Sequence, residues 1–190
     1  YSTLVRRIWS TGDHVRPIDT RAKSGSEHFI ELLNPNLLTV LGKFGPDILA
    51  ISGTKKVPDS VLSCATLALN LHHGALPHYR GGSSVDWTTL ENNYNHYGAT
   101  VHIATSAIDG GPIVTTNRVT PFLFESFFMF RRRLYLTGAA LLTDTIKHID
   151  RYTSIALKDP KPTRIFRHTQ KSNDHLDRVK KAFKALDLRR

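Results

Sequence analysis

The amino-acid sequence predicts an α/β fold in which a mainly parallel sheet is flanked by helices. Two short apolar runs, Ile48–Ser52 and Ala65–Leu69, have the length and composition of strands that are buried on both faces. A third segment, Ala99–Ala104, is rich in β-prone residues. Apolar residues recur at helical spacing before and after these strands, in residues 27–41 and 127–145. Buried strands accompanied by amphipathic helices are typical of the α/β class.

The first part of the chain gives weaker signals. Tyr1–Ile8 fits either a helix or a strand, and Ser10–Gly25 is polar with turn-forming residues, which predicts a loop. Glu27–Leu41 is predicted to be a helix that Pro35 interrupts, because proline lacks the N–H that a helix interior needs. The first predicted strand follows and leads into a loop from Gly53 to Asp59.

Polar side chains follow the second predicted strand at the point where it ends. Asn70 and His72 lie two residues apart, so in a strand they point to the same side. Glycine and proline then interrupt regular structure in residues 74–82, and a helix is predicted from Gly82 towards Glu91. Ligands of parallel α/β sheets bind outside the carboxyl ends of the strands. The sequence therefore predicts that Asn70 and His72 face one substrate.

A carboxylate follows the third predicted strand, and we expect it beside His72. Asp109 follows Ala99–Ala104 in a loop that Gly110 and Gly111 keep open. An amide can donate to a developing oxyanion, an imidazole can move a proton near neutral pH, and a carboxylate can orient the imidazole and hold its charge. Since no reactive nucleophile is among these groups, the set predicts direct transfer of an acyl group to nitrogen.

The remainder of the chain is predicted as a strand, a long helix and a basic ending. A strand begins at Ile113, and the aromatic run 122–130 precedes Arg131–Arg133. Such a pair of runs can stack bases and hold phosphates, but the apolar spacing favours the core and solvated faces of one helix. Residues 161–166 are predicted to be extended and Asn173–Arg190 helical. We therefore divide the chain into a catalytic domain, residues 1–150, and a basic C-terminal extension, residues 151–190.

Length and composition limit the classes of protein that fit. The chain has 190 residues, 40% of them hydrophobic, and a net charge of +10, which suits one globular domain that attracts anionic ligands. A single cysteine, Cys64, excludes an internal disulfide framework and favours a reducing, cytoplasmic location. No apolar stretch approaches the roughly 20 residues of a membrane span. His72 and His73 would point in opposite directions along a strand, so no metal site is predicted.

Two motifs resemble those of the folate-dependent formyltransferase family. They are Asn-x-His with Leu-Pro-x-Tyr-Arg-Gly in residues 70–81, and Gly-x-Thr-Val-His with Asp-x-Gly-Pro-Ile in residues 98–113. The resemblance covers roughly residues 44–142 and implies a Rossmann-like formyltransferase fold that uses 10-formyltetrahydrofolate and no metal. The strand that opens the family's fold is not recognisable here, which leaves a truncated fragment and a reduced sheet as alternatives. Residues 73–75 also lack the hydroxyl that many family members carry in this loop.

The resemblance assigns a role to each matching residue. Asn70 would polarise the formyl oxygen, His72 would shuttle the proton, Asp109 would pair with His72 and a water, and His102 would be auxiliary. The residues expected at the folate are Lys56, Val57, Pro58, Thr105, Ser106 and Ile108. The residues expected at the acceptor are Tyr79, Arg80 and Gly81.

Within the family, the sequence is closest in character to sugar N-formyltransferases. The expected acceptor is a primary amine on a small phosphorylated or nucleotide-linked molecule, with an amino sugar as first choice. The alternatives are glycinamide ribonucleotide or methionyl-tRNA formyltransferase, a 10-formyltetrahydrofolate hydrolase, and a non-enzymatic RNA-binding module. We expect no nucleic-acid or membrane partner, and a homodimer is compatible with this interpretation.

Overall fold

The computed structural model of the chain describes residues 35–54, 56–153, 161 and 163–186. Its helices are α1 (Pro35–Phe44), α2 (Asp59–Leu62), α3 (Ser84–Leu90), α4 (Phe127–Lys147), α5 (Ile149–Thr153) and α6 (His175–Lys184). Its strands are β1 (Ile48–Ser52), β2 (Leu67–His72), β3 (Arg80–Gly81), β4 (Gly98–Ile103), β5 (Ile113–Arg118) and β6 (Ile165–Phe166). The predictions for residues 1–34, including those on the family's opening strand, lie outside the described residues.

Four strands form the main sheet, in the order β1-β2-β4-β5. The prediction of an α/β fold with a central sheet flanked by helices is confirmed. The pairing is parallel between β1 and β2 but antiparallel for β2 with β4 and for β4 with β5, so the described part of the sheet is mixed rather than mainly parallel. Residues 104–112 are too few for the crossover that a parallel pair needs, which accounts for the direction of β5.

The register of β2 and β4 separates an apolar face from a polar one. Asn70 pairs with His102, and His72 pairs with Thr100, so these side chains share one face of the sheet. The alternate residues are buried on the opposite face with Ile149 and the apolar side of α4. They are Leu69, Leu71, Ala99 and Val101. The sheet therefore presents a row of polar groups that is supported from behind by a core.

A second core forms where α4 meets the C-terminal helix. Phe127, Phe130 and Leu134 on α4 are buried against Val179 and Phe183 of α6. Phe127 and Phe130 of the aromatic run therefore lie on the core face of the helix, whereas its other aromatic residues, Phe122, Phe124 and Phe128, are exposed. The serine that precedes the helix, Ser126, accepts a hydrogen bond from the backbone N–H of Met129 and so caps its first turn.

The basic C-terminal segment is part of the same packed unit as the predicted catalytic domain. β6 pairs in parallel with β3, and the ring of Phe166 stacks between Tyr79 and Trp87 with centroid distances of 5.4 Å to each. Gly81 has a φ of +89°, and a Cβ there would overlap the carbonyl oxygen of Phe166, so only glycine fits this pairing. Residues 163–186 therefore help to shape the loop that follows β2.

Candidate active site

The predicted amide and imidazole groups meet on the polar face of the sheet. Asn70 and His102 are opposite one another in the register, and Nδ2 of Asn70 lies 2.9 Å from Nε2 of His102. Nδ1 of His102 lies 2.9 Å from the carbonyl oxygen of Ile103, so the ring is held between the strand backbone and the Asn70 amide. The register shift at Val101 and His102 lies directly beside this contact, as β-bulges often do at functional sites.

Asp109 completes the group from the loop between β4 and β5. Its Oδ2 lies 3.3 Å from Nδ1 of His72 and accepts the backbone N–H of Gly81 at 2.7 Å. Its Oδ1 lies 3.3 Å from Nδ2 of Asn70 and 3.5 Å from Nε2 of His102. The structure thus brings Asn70, His72, His102 and Asp109 together, with the carboxylate touching the other three.

The imidazole of His72 is buried, with 7% of its side chain exposed. Nε2 lies 2.5 Å from the carbonyl oxygen of Tyr79 and 3.1 Å from Oγ of Ser84. Burial lowers the pKa of His72, against the nearby charge of Asp109, which raises it. The net direction favours a neutral base near pH 7, as proton abstraction requires.

Asp109 is ionised at neutral pH. Burial raises the pKa of its carboxyl, but the contacts with His102, His72 and the Gly81 N–H outweigh burial and lower the pKa to about 2. A fixed negative charge therefore faces Nδ1 of His72. This charge can orient the ring and stabilise an imidazolium when it forms.

The polar groups line a cavity of about 500 Å³. Asn70, His72, His102 and Asp109 are all in its wall. Of the residues predicted at the folate, the wall includes Lys56, Val57, Thr105 and Ile108. Pro58 and Ser106 are outside the lining. The loops after β1 and β4 thus contribute to the cavity wall.

The predicted acceptor residues are not all at this cavity. Gly81 is in the lining, but the side chains of Tyr79 and Arg80 are not. Tyr79 donates from its hydroxyl to Glu91 at 2.9 Å, and Arg80 donates from Nε and Nη2 to the carbonyl oxygen of Ile108 at 2.9 and 2.6 Å. Arg80 therefore ties the loop after β2 to the loop that carries Asp109, rather than facing an anionic ligand.

Two polar residues that sequence reasoning missed hold this arrangement in place. Thr100 donates from Oγ1 to the carbonyl oxygen of Gly74 at 2.8 Å and accepts the N–H of Leu76 at 3.2 Å. The alternation of the strand, which puts Thr100 and His102 on one face, was a signal that could have found it. No sequence pattern indicates the contact between Ser84 and His72, because Ser84 lies in α3 and not in a strand of the main sheet.

Cations and aromatic rings from α4 and from the segment after β6 also line the cavity. Arg131 and Arg167 are in the wall, and Arg131 donates to the hydroxyl of Tyr135 at 3.1 Å. Asp86 also lines the cavity, but Lys171 at 2.9 Å compensates its charge, and Nε2 of His175 lies 3.2 Å from the same carboxylate oxygen. The guanidinium groups of Arg131 and Arg167 therefore leave this part of the wall positively charged.

His73 joins the same wall from the strand end. Its ring meets that of Tyr135 edge to face, with centroids 4.1 Å apart. Burial, His72 and Arg131 together lower the pKa of His73 to about 4, so the ring is neutral at pH 7.

Across the described ranges, no group of three or more His, Cys, Asp and Glu side chains could hold a metal ion. Likewise, none of the helices described is both long and apolar enough to cross a membrane.

The sequence of the chain matches a known protein family. Residues 20–134 match the family described as formyl transferase. The methionyl-tRNA formyltransferase of Chlorobium chlorochromatii (strain CaD3) is 28% identical over 148 residues, which are 73% of this chain and 47% of that protein. The phosphoribosylglycinamide formyltransferase of Escherichia coli (strain K12) is 30% identical over 98 residues, 50% of this chain and 46% of that protein. The chain thus spans less than half the length of these curated relatives.

A solved structure shows the same fold. The formyltransferase PseJ from Anoxybacillus kamchatkensis, in complex with UDP-4,6-dideoxy-4-formamido-L-AltNAc and tetrahydrofolate, superposes with a TM-score of 0.58 at 18% identity and covers 88% of this chain and 79% of that one. The family match extends over more than half of the sequence and includes every residue of the polar group described above. The chain belongs to the formyl transferase family.

Proposed function

We propose that the protein transfers a formyl group from 10-formyltetrahydrofolate to the primary amine of a small phosphorylated or nucleotide-linked acceptor, with an amino sugar as first choice. The observation that carries this proposal is the convergence of Asn70, His72, His102 and Asp109 within 3.5 Å contacts at the wall of one cavity. These groups suit acyl transfer to nitrogen, which needs an oxyanion donor and a proton acceptor but no covalent intermediate.

In the proposed reaction the amine attacks the formyl carbon while His72 accepts a proton from the amine. The formyl oxygen gains negative charge and accepts a hydrogen bond from the Asn70 amide, whose bond to Asp109 at 3.3 Å is long and can be exchanged for it. The tetrahedral intermediate then collapses, the bond to N10 of the folate breaks, and N10 takes the proton from His72. Asp109 stabilises the imidazolium between these steps.

Two facts support an anionic acceptor. The PseJ structure holds a UDP-linked formamido sugar and tetrahydrofolate. In this chain, Arg131 on α4 and Arg167 after β6 line the cavity and belong to elements other than the proposed folate loops. Guanidinium groups bind phosphate oxygens through charge-assisted hydrogen bonds. We therefore place the phosphate of the acceptor against these two residues, and keep a cytoplasmic location as part of the proposal.

Release of tetrahydrofolate tests the function. The purified protein is mixed with 10-formyltetrahydrofolate in water alone, then with amino sugar nucleotides, glycinamide ribonucleotide or methionyl-tRNA. We expect release only when an amino sugar nucleotide is present. Release with one of the other amines would name a different acceptor, and release in water alone would identify a hydrolase. No release under any of these conditions would overturn the proposal.

Replacement of Arg131 by alanine is expected to raise the KM for a phosphorylated acceptor about tenfold or more, since a lost hydrogen bond to a charged group costs about 1.5–3 kcal/mol. The KM for 10-formyltetrahydrofolate should stay unchanged because the loops proposed for the folate do not include Arg131. Steady-state kinetics with each substrate varied in turn measures both values.

Arg132 offers a matched control on the same helix. It carries the same charge, is exposed, and is absent from the cavity lining. Arg132→Ala should leave both KM values unchanged. An equal rise of the acceptor KM in the two variants would show that the net charge of the helix, rather than a contact made by Arg131, attracts the acceptor.

A further inference from the structure

We infer that Ser84 is a positioning residue for His72, and that its hydroxyl donates to Nε2 whenever this nitrogen is without a proton. The inference rests on the proposed function, in which His72 must gain and lose a proton in each cycle. Ser84 is buried, with 4% of its surface exposed, and its Oγ lies 3.1 Å from Nε2 of His72.

Among the described residues, Nε2 has two polar neighbours, and they are of different kinds. The carbonyl oxygen of Tyr79, at 2.5 Å, can only accept a hydrogen bond. The hydroxyl of Ser84 can either donate or accept. A protonated Nε2 is therefore satisfied by Tyr79, whereas a deprotonated Nε2 can be satisfied only by the O–H of Ser84. The carbonyl oxygen of Gly81, 3.4 Å from Oγ, accepts this O–H in the other state.

The other ring nitrogen explains why the donor is needed on this side. Nδ1 faces the carboxylate of Asp109 at 3.3 Å, and a bare nitrogen there would be repelled by the negative charge. The contact of Nε2 with the carbonyl oxygen of Tyr79 needs a proton on Nε2, so only the imidazolium satisfies both contacts at once. When the ring loses one proton, the other stays on Nδ1, because an ionised carboxylate attracts it more strongly than a neutral carbonyl group does. The bare Nε2 must then turn from Tyr79 to the hydroxyl of Ser84. The other titratable groups around the ring are His102 on β4 and the neighbouring His73.

Gly74 makes the room for this contact. A Cβ at position 74 would lie 2.7 Å from Nε2 of His72 and 2.8 Å from Cβ of Ser84. Any larger residue would push apart the two groups that the hydrogen bond joins. Residues 73–75 carry no hydroxyl group. The missing side chain at Gly74 instead leaves the space in which the hydroxyl of Ser84 reaches the imidazole of His72.

The titration of His72 tests the inference without any substrate. Proton-nitrogen NMR spectra of the histidine rings report both pKa and tautomer, and the His72 signals are those missing from His72→Gln. In the wild-type protein we expect the neutral ring to carry its proton on Nδ1. In Ser84→Ala the neutral form loses its donor, so the pKa of His72 should rise by about one pH unit and the proton should move towards Nε2.

Ser83→Gly is the matched control. Ser83 precedes Ser84, its hydroxyl contacts His168 rather than His72, and its φ of 61° suits glycine. The His72 titration should be unchanged in this variant. An unchanged titration in Ser84→Ala, an equal shift in both variants, or a wild-type neutral ring protonated on Nε2 would each overturn the inference. Because no turnover is measured, these results are independent of whether formyl transfer is found.

Discussion

Replacing His72 by alanine is expected to lower kcat by about 10²- to 10⁴-fold, the usual effect of removing a positioned general base. The amine would then have to lose its proton to water or to His102, the other imidazole in contact with Asp109, whose Nε2 is already engaged by the Asn70 amide at 2.9 Å. The KM values should change little, since the proposed binding contacts lie elsewhere. Single-turnover measurements of tetrahydrofolate release give the rate of the chemical step.

His78 provides the control for this substitution. It is exposed, is absent from the cavity lining and contacts the ring of His96 edge to face at 4.2 Å. His78→Ala should retain the wild-type kcat. A folded His72→Ala protein, verified by its circular dichroism and thermal transition, that turns over at a near-normal rate would show that His72 is not the base.

Exchange of Asp109 for asparagine is expected to reduce kcat roughly a hundredfold. The amide keeps an acceptor for the Gly81 N–H, and asparagine tolerates the φ of 42° at this position, so the loop should retain its conformation. The negative charge that faces Nδ1 of His72 is lost, however, and with it the stabilisation of the imidazolium.

The same variant has a defined effect on pH dependence. In the native protein the charge of Asp109 raises the pKa of His72 against burial, which lowers it. Without this charge the pKa of His72 falls further, so the low-pH limb of the kcat/KM profile should move to lower pH. Ser84→Ala should move it the opposite way. A limb that stays in place in Asp109→Asn would mean that another group titrates there.

Local patterns in the sequence were sufficient to predict much of the candidate site. The two-residue spacing of Asn70 and His72 fixed their common face once β2 was recognised, and the glycines after Asp109 indicated a loop. His102 was assigned by the resemblance to the family alone, and its pairing with Asn70 depends on a strand register that no local pattern reveals.

Other features depend on contacts between distant segments. Apolar composition identified β4 as a strand but did not give its direction, because residues 73–97 are long enough to allow either a parallel or an antiparallel pairing with β2. The guanidinium of Arg80 is of the kind that binds phosphate, but in the folded chain it donates to the carbonyl oxygen of Ile108. Ser84 reaches His72 only because the chain turns back through residues 74–82.

The pairing of β3 with β6 has a consequence for the order in which the protein is made. Gly81 lies between Phe166, its partner in the small sheet, and Asp109, which accepts its N–H. During synthesis the segment that carries β6 leaves the ribosome long after β2, β3 and β4. A nascent chain that ends before residue 165 would hold the reactive side chains but lack the ring of Phe166 that stacks between Tyr79 and Trp87. The pairing of β3 with β6 closes a long loop, and the closure of long loops is slow. The site should therefore reach its final arrangement in one of the last steps of folding.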